Sequence, residues 1–194
     1  MSENQTARTP HDICPVWLAS VLGSPLRRLI QKPEVLLAGL LKEGQTALDL
    51  GCGPGYFTLG MAELVGPSGK VIAVDLQPEM LARVRARAER AGLMGQIVLH
   101  QSSFASIGLA ETGKIDFAMS FWMVHEVGDQ TTFLTQVAEL LRPGGQFLLA
   151  EPVLHVSEAA FQKTVVTAQQ AGLRQVAEPK IRISRAALFQ KEKR

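Results

Sequence analysis

Asp49-Leu50-Gly51-Cys52-Gly53-Pro54-Gly55-Tyr56 joins an apolar run, Thr46–Leu50, to a helix-period run that begins at Tyr56. Three glycines within five positions let the main chain turn tightly and come close to a ligand, where a Cβ would stand in the way. Strand, glycine turn and helix in that order make the first half of a βαβ unit. In such sheets ligands bind outside the carboxyl ends of the strands.

The rhythm continues outward from that turn. Apolar runs at Thr46–Leu50, Val71–Asp75, Ile97–His100, Ile115–Ser120 and Gln146–Ala150 read as strands buried on both faces. Helical segments lie between them. Tyr56–Val65 is bounded by glycines, Pro78–Ala91 starts on a proline and ends at Gly92, Asp129–Leu141 has an aspartate in cap position and is stopped by Pro143-Gly144-Gly145, and Ser157–Ala171 ends at Gly172. Alternating strand and helix predicts a doubly wound α/β sheet with right-handed crossovers. The last two apolar segments, Leu173–Ala177 and Ile183–Gln190, are too close for a helical crossover and predict an antiparallel hairpin at one edge. The expected fold is a mostly parallel, Rossmann-like, seven-stranded sheet with an antiparallel C-terminal strand.

Residues 1–40 stand apart, cut into short pieces by Pro10, Pro15, Pro25 and Pro33 and carrying apolar anchors such as Trp17. They are expected to form a helical cap, over the ligand crevice or else over a sheet edge or dimer contact, with residues 41–194 as the main domain. The 194 residues suit one structural unit, and hydrophobic residues at 46 % with charged residues at 20 % exclude a disordered chain. No apolar run is long enough to span a bilayer, and the polar start has no secretory core. A net charge of +2, with basic residues dispersed, argues against a nucleic-acid partner. The arginines of Pro78–Ala91 read as a solvated face. Cys14 and Cys52 fit a reducing cytoplasm and cannot build a zinc cluster, so no metal is expected. The expected protein is cytoplasmic, a monomer or homodimer.

Asp75 ends the second strand, 24 residues after Gly51, where a carboxylate can accept hydrogen bonds from both hydroxyls of a ribose. Glycine turn and acid together predict an adenosine-containing ligand. A dinucleotide site prefers G-x-G-x-x-G, whereas here the glycines fall at G-x-G-x-G with Asp49 before them. That carboxylate would repel a pyrophosphate and attract an ammonium, which favours S-adenosylmethionine over a nicotinamide dinucleotide.

Four ordered motifs resemble those of the class I S-adenosylmethionine-dependent methyltransferases: Asp49–Gly55, Val71–Leu76, Ile115–Ser120 and Leu141–Phe147. The likeness covers roughly residues 45–190 and is nearest to the small ubiquinone-methylase-like group, in which a Val-His-type pair follows strand four as Val124-His125 does here. The resemblance implies that Asp49, Gly51, Cys52, Gly53 and Gly55 surround the methionine end, that Asp75 holds the ribose, and that Leu76 lies against the adenine. Phe121 joins them at the end of strand four. Where the family has a Gly-Asp pair after strand three, this chain has Gln101-Ser102-Ser103-Phe104, so Ser102 or Ser103 is left to bond the adenine and Phe104 to stack on it.

Candidates for the acceptor site follow strands four and five. His125 can take a proton near neutral pH, with Glu126 beside it to orient the ring, or it can be a capping loop histidine. Glu151 can face the same site or cap the next helix, and His155 reads as a surface residue. The expected function is methyl transfer to a small-molecule acceptor. The rivals are a regulatory module that binds the cofactor without catalysis, a nicotinamide dehydrogenase, and a metalloid methylase of the arsenite kind. The last would need three thiolates near His11 and Cys14, and the chain has two cysteines in all.

Overall fold

The structure, a computed structural model, describes residues 31–110 and 112–192. Expectations placed on residues 1–30, which include most of the cap segment with His11, Cys14 and Trp17, lie outside the described residues.

The described chain begins with a single helical turn, α1 (Pro33–Leu36), followed by β1 (Thr46–Leu50), α2 (Tyr56–Val65), β2 (Lys70–Asp75), α3 (Pro78–Ala91) and β3 (Ile97–Gln101). The second half runs β4 (Ile115–Phe121), a 3₁₀ turn (Val124–Glu126), α4 (Gln130–Leu140), β5 (Leu141–Pro152), α5 (Glu158–Gln170), β6 (Leu173–Ala177) and β7 (Ser184–Lys191). The sheet has the order β3-β2-β1-β4-β5-β7-β6. All neighbours from β3 to β5 pair in parallel, and β7 is antiparallel to both β5 and β6. The expected architecture is the observed one. Among the described residues, no helix is long and apolar enough to cross a membrane.

The order reverses between β1 and β4, so successive crossovers leave by opposite faces. One face of the sheet packs Ala47, Ala73, Phe117 and Met119 against Phe57 and Met61 of α2 and Val84 of α3. The other packs Leu48, Ile72, Phe147 and Leu149 against Leu134 and Val137 of α4 and Phe161 and Val165 of α5. Helix starts follow the local chemistry. Asp129 accepts from Thr132 N at 2.9 Å at the head of α4, and Ser157 accepts from Ala160 N at the head of α5.

Three details differ from the sequence reading. β3 is an edge strand, so it is not buried on both faces, and Val98 is 43 % exposed. β5 begins at Leu141 because Pro143-Gly144-Gly145 runs into the strand through a register shift opposite Ile115 and Phe117. Gly145 is accepted there since a Cβ would lie 2.8 Å from Ile115 O. Arg87 is no simple solvated residue. Its guanidinium donates to Pro54 O at 2.9 Å and ties α3 to the glycine turn.

Ser120 lies on β4 between Leu50 and Leu149, fully buried, and its hydroxyl has no partner among the described residues. A buried unbonded hydroxyl costs about 1–3 kcal/mol. Urea denaturation of Ser120→Ala should therefore give an unfolding free energy equal to wild type or up to about 1 kcal/mol higher. A loss of comparable size would show that the hydroxyl holds a bond.

Candidate functional site

The carboxyl ends of β1, β2, β4 and β5 open into one cleft of about 1440 Å³. A single small ligand usually occupies about 300–1,000 Å³, so there is room for two side by side.

The glycine turn forms one end. Gly51 N and Cys52 N both donate to Val74 O at 2.9 Å, which docks the turn on the end of β2. Gly51 has φ +68°, and a Cβ there would lie 2.5 Å from Met123 Cγ. Gly53, at φ +51°, faces open space, with nothing within 4 Å of a built Cβ. Asp75 is 8 % exposed and accepts from Gly53 N and from Gln77 N, each at 2.9 Å. Burial pushes its carboxyl above the ordinary value of 3.8, and the backbone N–H bonds to it offset this only in part. Asp49, 2 % exposed, accepts from Thr58 Oγ1 at 2.6 Å. Burial, with Asp49 and Asp75 nearby, raises the Cys52 thiol well above its usual range, so it stays protonated.

The other end is built on the segment after β4. Trp122 adopts φ +63°, unusual for a bulky residue, and two bonds hold it there. Its backbone N donates to Ala150 O at 2.8 Å and its indole to Ser184 Oγ at 2.9 Å. The reversal lays Met123 over Gly51 and starts the 3₁₀ turn that carries His125. Glu151, 1 % exposed, grips that residue twice: Oε1 accepts from His125 N at 3.2 Å, and Oε2 lies 2.5 Å from His125 Nδ1. A carboxylate only accepts, so the proton of this contact sits on Nδ1. Glu126, expected from sequence to orient the ring, is 4.0 Å from Nε2, so the partner is Glu151, 26 positions along the chain. His155 reaches the cleft rim, its ring centroid 6.2 Å from that of His125.

Asp49, Gly51, Cys52, Gly53, Asp75, Leu76, Ser102, Ser103, Phe104, Phe121, His125 and Glu151 all line this cleft. Gly55 does not. It stands behind the wall as the left-handed N-cap of α2, packed against Val84. Ser102 N donates to Asp75 O at 3.1 Å, Ser103 Oγ bonds within its own loop, and Phe104 is 72 % exposed at the rim. Phe121 packs on Phe57 with ring centroids 4.5 Å apart. Sequence reasoning did not single out Trp122, Gln130 or Thr164, which also line the cleft. Their importance lies in contacts across the fold that no local pattern marks.

A family profile described as a methyltransferase domain matches residues 41–192. The chain is similar to the ubiquinone biosynthesis O-methyltransferase of Xanthomonas axonopodis pv. citri, 32 % identical over 154 residues, which is 79 % of this chain and 62 % of that protein. It is also similar to the arsenite methyltransferase of Aquipseudomonas alcaligenes, 32 % identical over 151 residues, 71 % of this chain and 42 % of that one. It thus spans about three-fifths or less of the length of these curated relatives. A solved SAM-dependent methyltransferase from Aquifex aeolicus superposes with a TM-score of 0.83 at 22 % identity, covering 92 % of this chain and 99 % of the other, a likeness of fold.

The two turn glycines separate strain from crowding. An alanine in left-handed backbone costs about 1–2 kcal/mol at either position. Gly51→Ala adds the Met123 clash, so thermal melting should show it to be clearly the more destabilised of the two single variants, Gly51→Ala and Gly53→Ala. Equal losses would mean that Met123 moves aside freely.

Proposed function

The chain belongs to the class I S-adenosylmethionine-dependent methyltransferases, and from that premise we propose that it transfers a methyl group to a small-molecule acceptor carrying an ionisable proton. The observation that carries this reading is the His125–Glu151 pair, set across the cleft from the glycine turn and Asp75.

The cleft fits the cofactor. Its glycine end leaves the Gly53 Cβ position open, and the buried carboxylates of Asp49 and Asp75 suit the donors of an ammonium and of ribose hydroxyls. When bound, S-adenosylmethionine supplies an electrophilic methyl group on a sulfonium. Asp49 and Asp75 bind and orient it, the wall of Phe121 and Trp122 excludes water, and Leu76, Ser102, Ser103 and Phe104 frame the adenine end. Cys52 contributes its main chain to the turn. On the acceptor side, His125 Nε2 takes the acceptor's proton, and Glu151 holds the ring and stabilises the imidazolium that forms. Alignment of two bound partners contributes the larger part of the rate. A metalloid acceptor is disfavoured, because soft ions require thiolates and the Cys52 thiol is buried and kept protonated.

Residues 1–40 we propose as a cap over the acceptor end. In support, Gln31 is tied beside the cleft: its main-chain carbonyl accepts from Oη of the cleft-lining Tyr56 at 2.5 Å, and its side-chain amide donates to Arg182 O at 3.5 Å.

Calorimetry with S-adenosylhomocysteine tests the cofactor site. Asp75→Ala should weaken binding by about 1–3 kcal/mol, the usual loss for hydrogen bonds to a charged group. An unchanged dissociation constant removes Asp75 from the site. The pH dependence has a definite sign. A protonated Asp75 accepts fewer bonds, so affinity falls on acidification, starting at a higher pH than for an ordinary aspartate. In the ligand-free chain the raised carboxyl works the other way. It adds stability that is fully present below 3.8 and is lost as pH rises through the folded value.

Deletion of residues 1–30, which keeps Gln31, tests the cap. Binding of S-adenosylhomocysteine should survive, while transfer of labelled methyl to a panel of small hydroxylated compounds should collapse. Retained turnover in the folded truncated protein would reduce the segment to packing.

A further inference from the structure

Gln130 is the first residue of α4, and its side chain reaches away from its own helix in two directions. The amide Nε2 donates to Val124 O at 3.0 Å, the carbonyl of the residue that precedes His125. The amide Oε1 accepts from Thr164 Oγ1 at 2.9 Å, a hydroxyl on α5 that is 6 % exposed. The Val124 contact fixes the orientation of the amide: a carbonyl needs a donor, so exchanging nitrogen and oxygen would leave that bond unmade, whereas the Thr164 hydroxyl can donate or accept.

These bonds complete a clamp. Glu151 holds the N–H and the ring of His125 from the β5 side, and Gln130 holds the carbonyl just before it from the α4 side. A 3₁₀ turn of three residues has little stability of its own, since its hydrogen bonds are few and poorly aligned. Val124 O accepts from Val127 N within the turn at 3.0 Å, and the Gln130 amide adds a bond from outside it. Thr164 extends the clamp to α5, and Ala160, Lys163 and Thr164 of that helix face the same cleft.

We infer that Gln130 is a positioning residue, which holds the His125 turn so that the imidazole stays on Glu151 with Nε2 presented to the acceptor, and which links that turn through Thr164 to the α5 wall of the cleft. The inference rests on the proposed role of His125, and it adds a residue that acts through that side chain.

The test uses the full-length protein with ¹⁵N-labelled histidine, and a long-range ¹H–¹⁵N correlation that reads the tautomer of the His125 ring, assigned with His125→Asn. Wild type should show one neutral tautomer with the proton on Nδ1. Gln130→Met matches the side chain in size but can neither donate nor accept, and it should give a mixture of tautomers. Gln130→Glu should do the same, because a carboxylate cannot donate to Val124 O. Thr164→Val, which removes the outer bond while keeping the shape, should give a partial loss of the lock, and it serves if the Gln130 variants do not fold. Affinity for S-adenosylhomocysteine should stay within about twofold in all of them, since the glycine turn and Asp75 are untouched. Methyl transfer to whichever hydroxylated compound wild type accepts should drop by about a hundredfold in kcat, the usual effect of a misplacement near 1 Å, with KM for S-adenosylmethionine unchanged. A space-filling role predicts that Gln130→Met behaves as wild type. If the wild-type ring is locked and stays locked in Gln130→Met and Thr164→Val, the positioning role is overturned and the role of His125 survives. If the wild-type ring is itself a mixture, the His125–Glu151 reading fails and the role of Gln130 falls with it.

Discussion

The missing Cβ at Gly51 is the constraint on which the rest of the site depends. At that position the chain leaves β1, turns with positive φ, and the consecutive N–H groups of Gly51 and Cys52 donate to the Val74 carbonyl near the end of β2. The space a side chain would fill is taken by Met123, which arrives from the end of β4. One glycine therefore brings three strand ends within contact. It sets the start of α2, the depth of the cofactor end of the cleft, and the path of the segment that leads to His125. A site assembled in this way is stiff, because each loop end is fixed by main-chain bonds to a strand of the sheet rather than by side chains alone.

The strand order then decides what faces what. Because the sequence of strands reverses between β1 and β4, the crossovers of the first half cover one face and those of the second half cover the other, and the loops at the carboxyl ends part over the reversal. The glycine turn and Asp75 belong to β1 and β2, and His125 and Glu151 to the ends of β4 and β5. The antiparallel β7 adds to the second group. Ser184 pins the Trp122 indole, and Arg185 donates to Val153 O and Val156 O, holding the segment after β5. The departure from the parallel pattern at the C-terminus is thus a support for the His125 side of the cleft as well as a way to finish the sheet.

Much of this was legible in the sequence, for reasons that differ by element. β1, the glycine turn and α2 are local, written in consecutive residues, and their spacing carried both the fold and the family. Asp75 was legible because it ends an apolar strand at a fixed distance from the turn. The edge position of β3 was not, since an apolar strand looks alike whether one or two neighbours cover it. The early start of β5 was hidden by a Pro-Gly-Gly that ordinarily ends a helix and here also opens a strand. The pairing of His125 with Glu151 rather than Glu126 was hidden for a deeper reason. Neighbours in sequence tend to point apart on a tight turn, while residues 26 positions apart can meet whenever adjacent parallel strands end at one rim. Trp122 and Gln130 gave no signal at all, since each matters through a bond made across the fold.

Among the described residues three carboxylates, Asp49, Asp75 and Glu151, are buried around this cleft, and their burial carries a desolvation cost. Their partners separate their tasks. Glu151 turns both oxygens to one residue, His125, so its charge goes into fixing an imidazole. Asp75 gives one oxygen to the glycine turn and one to the start of α3, and each oxygen keeps a second lone pair for donors on a ligand. Asp49 takes a hydroxyl from α2 at the base of the turn. Burial without a matching cation leaves Asp75 poorly solvated in the ligand-free chain, as the upward push on its carboxyl shows. A cationic, hydroxyl-bearing ligand relieves that condition, whereas a neutral apolar one leaves it in place. The same burial thereby suits the cleft to a ligand that brings hydrogen-bond donors or positive charge to these carboxylates.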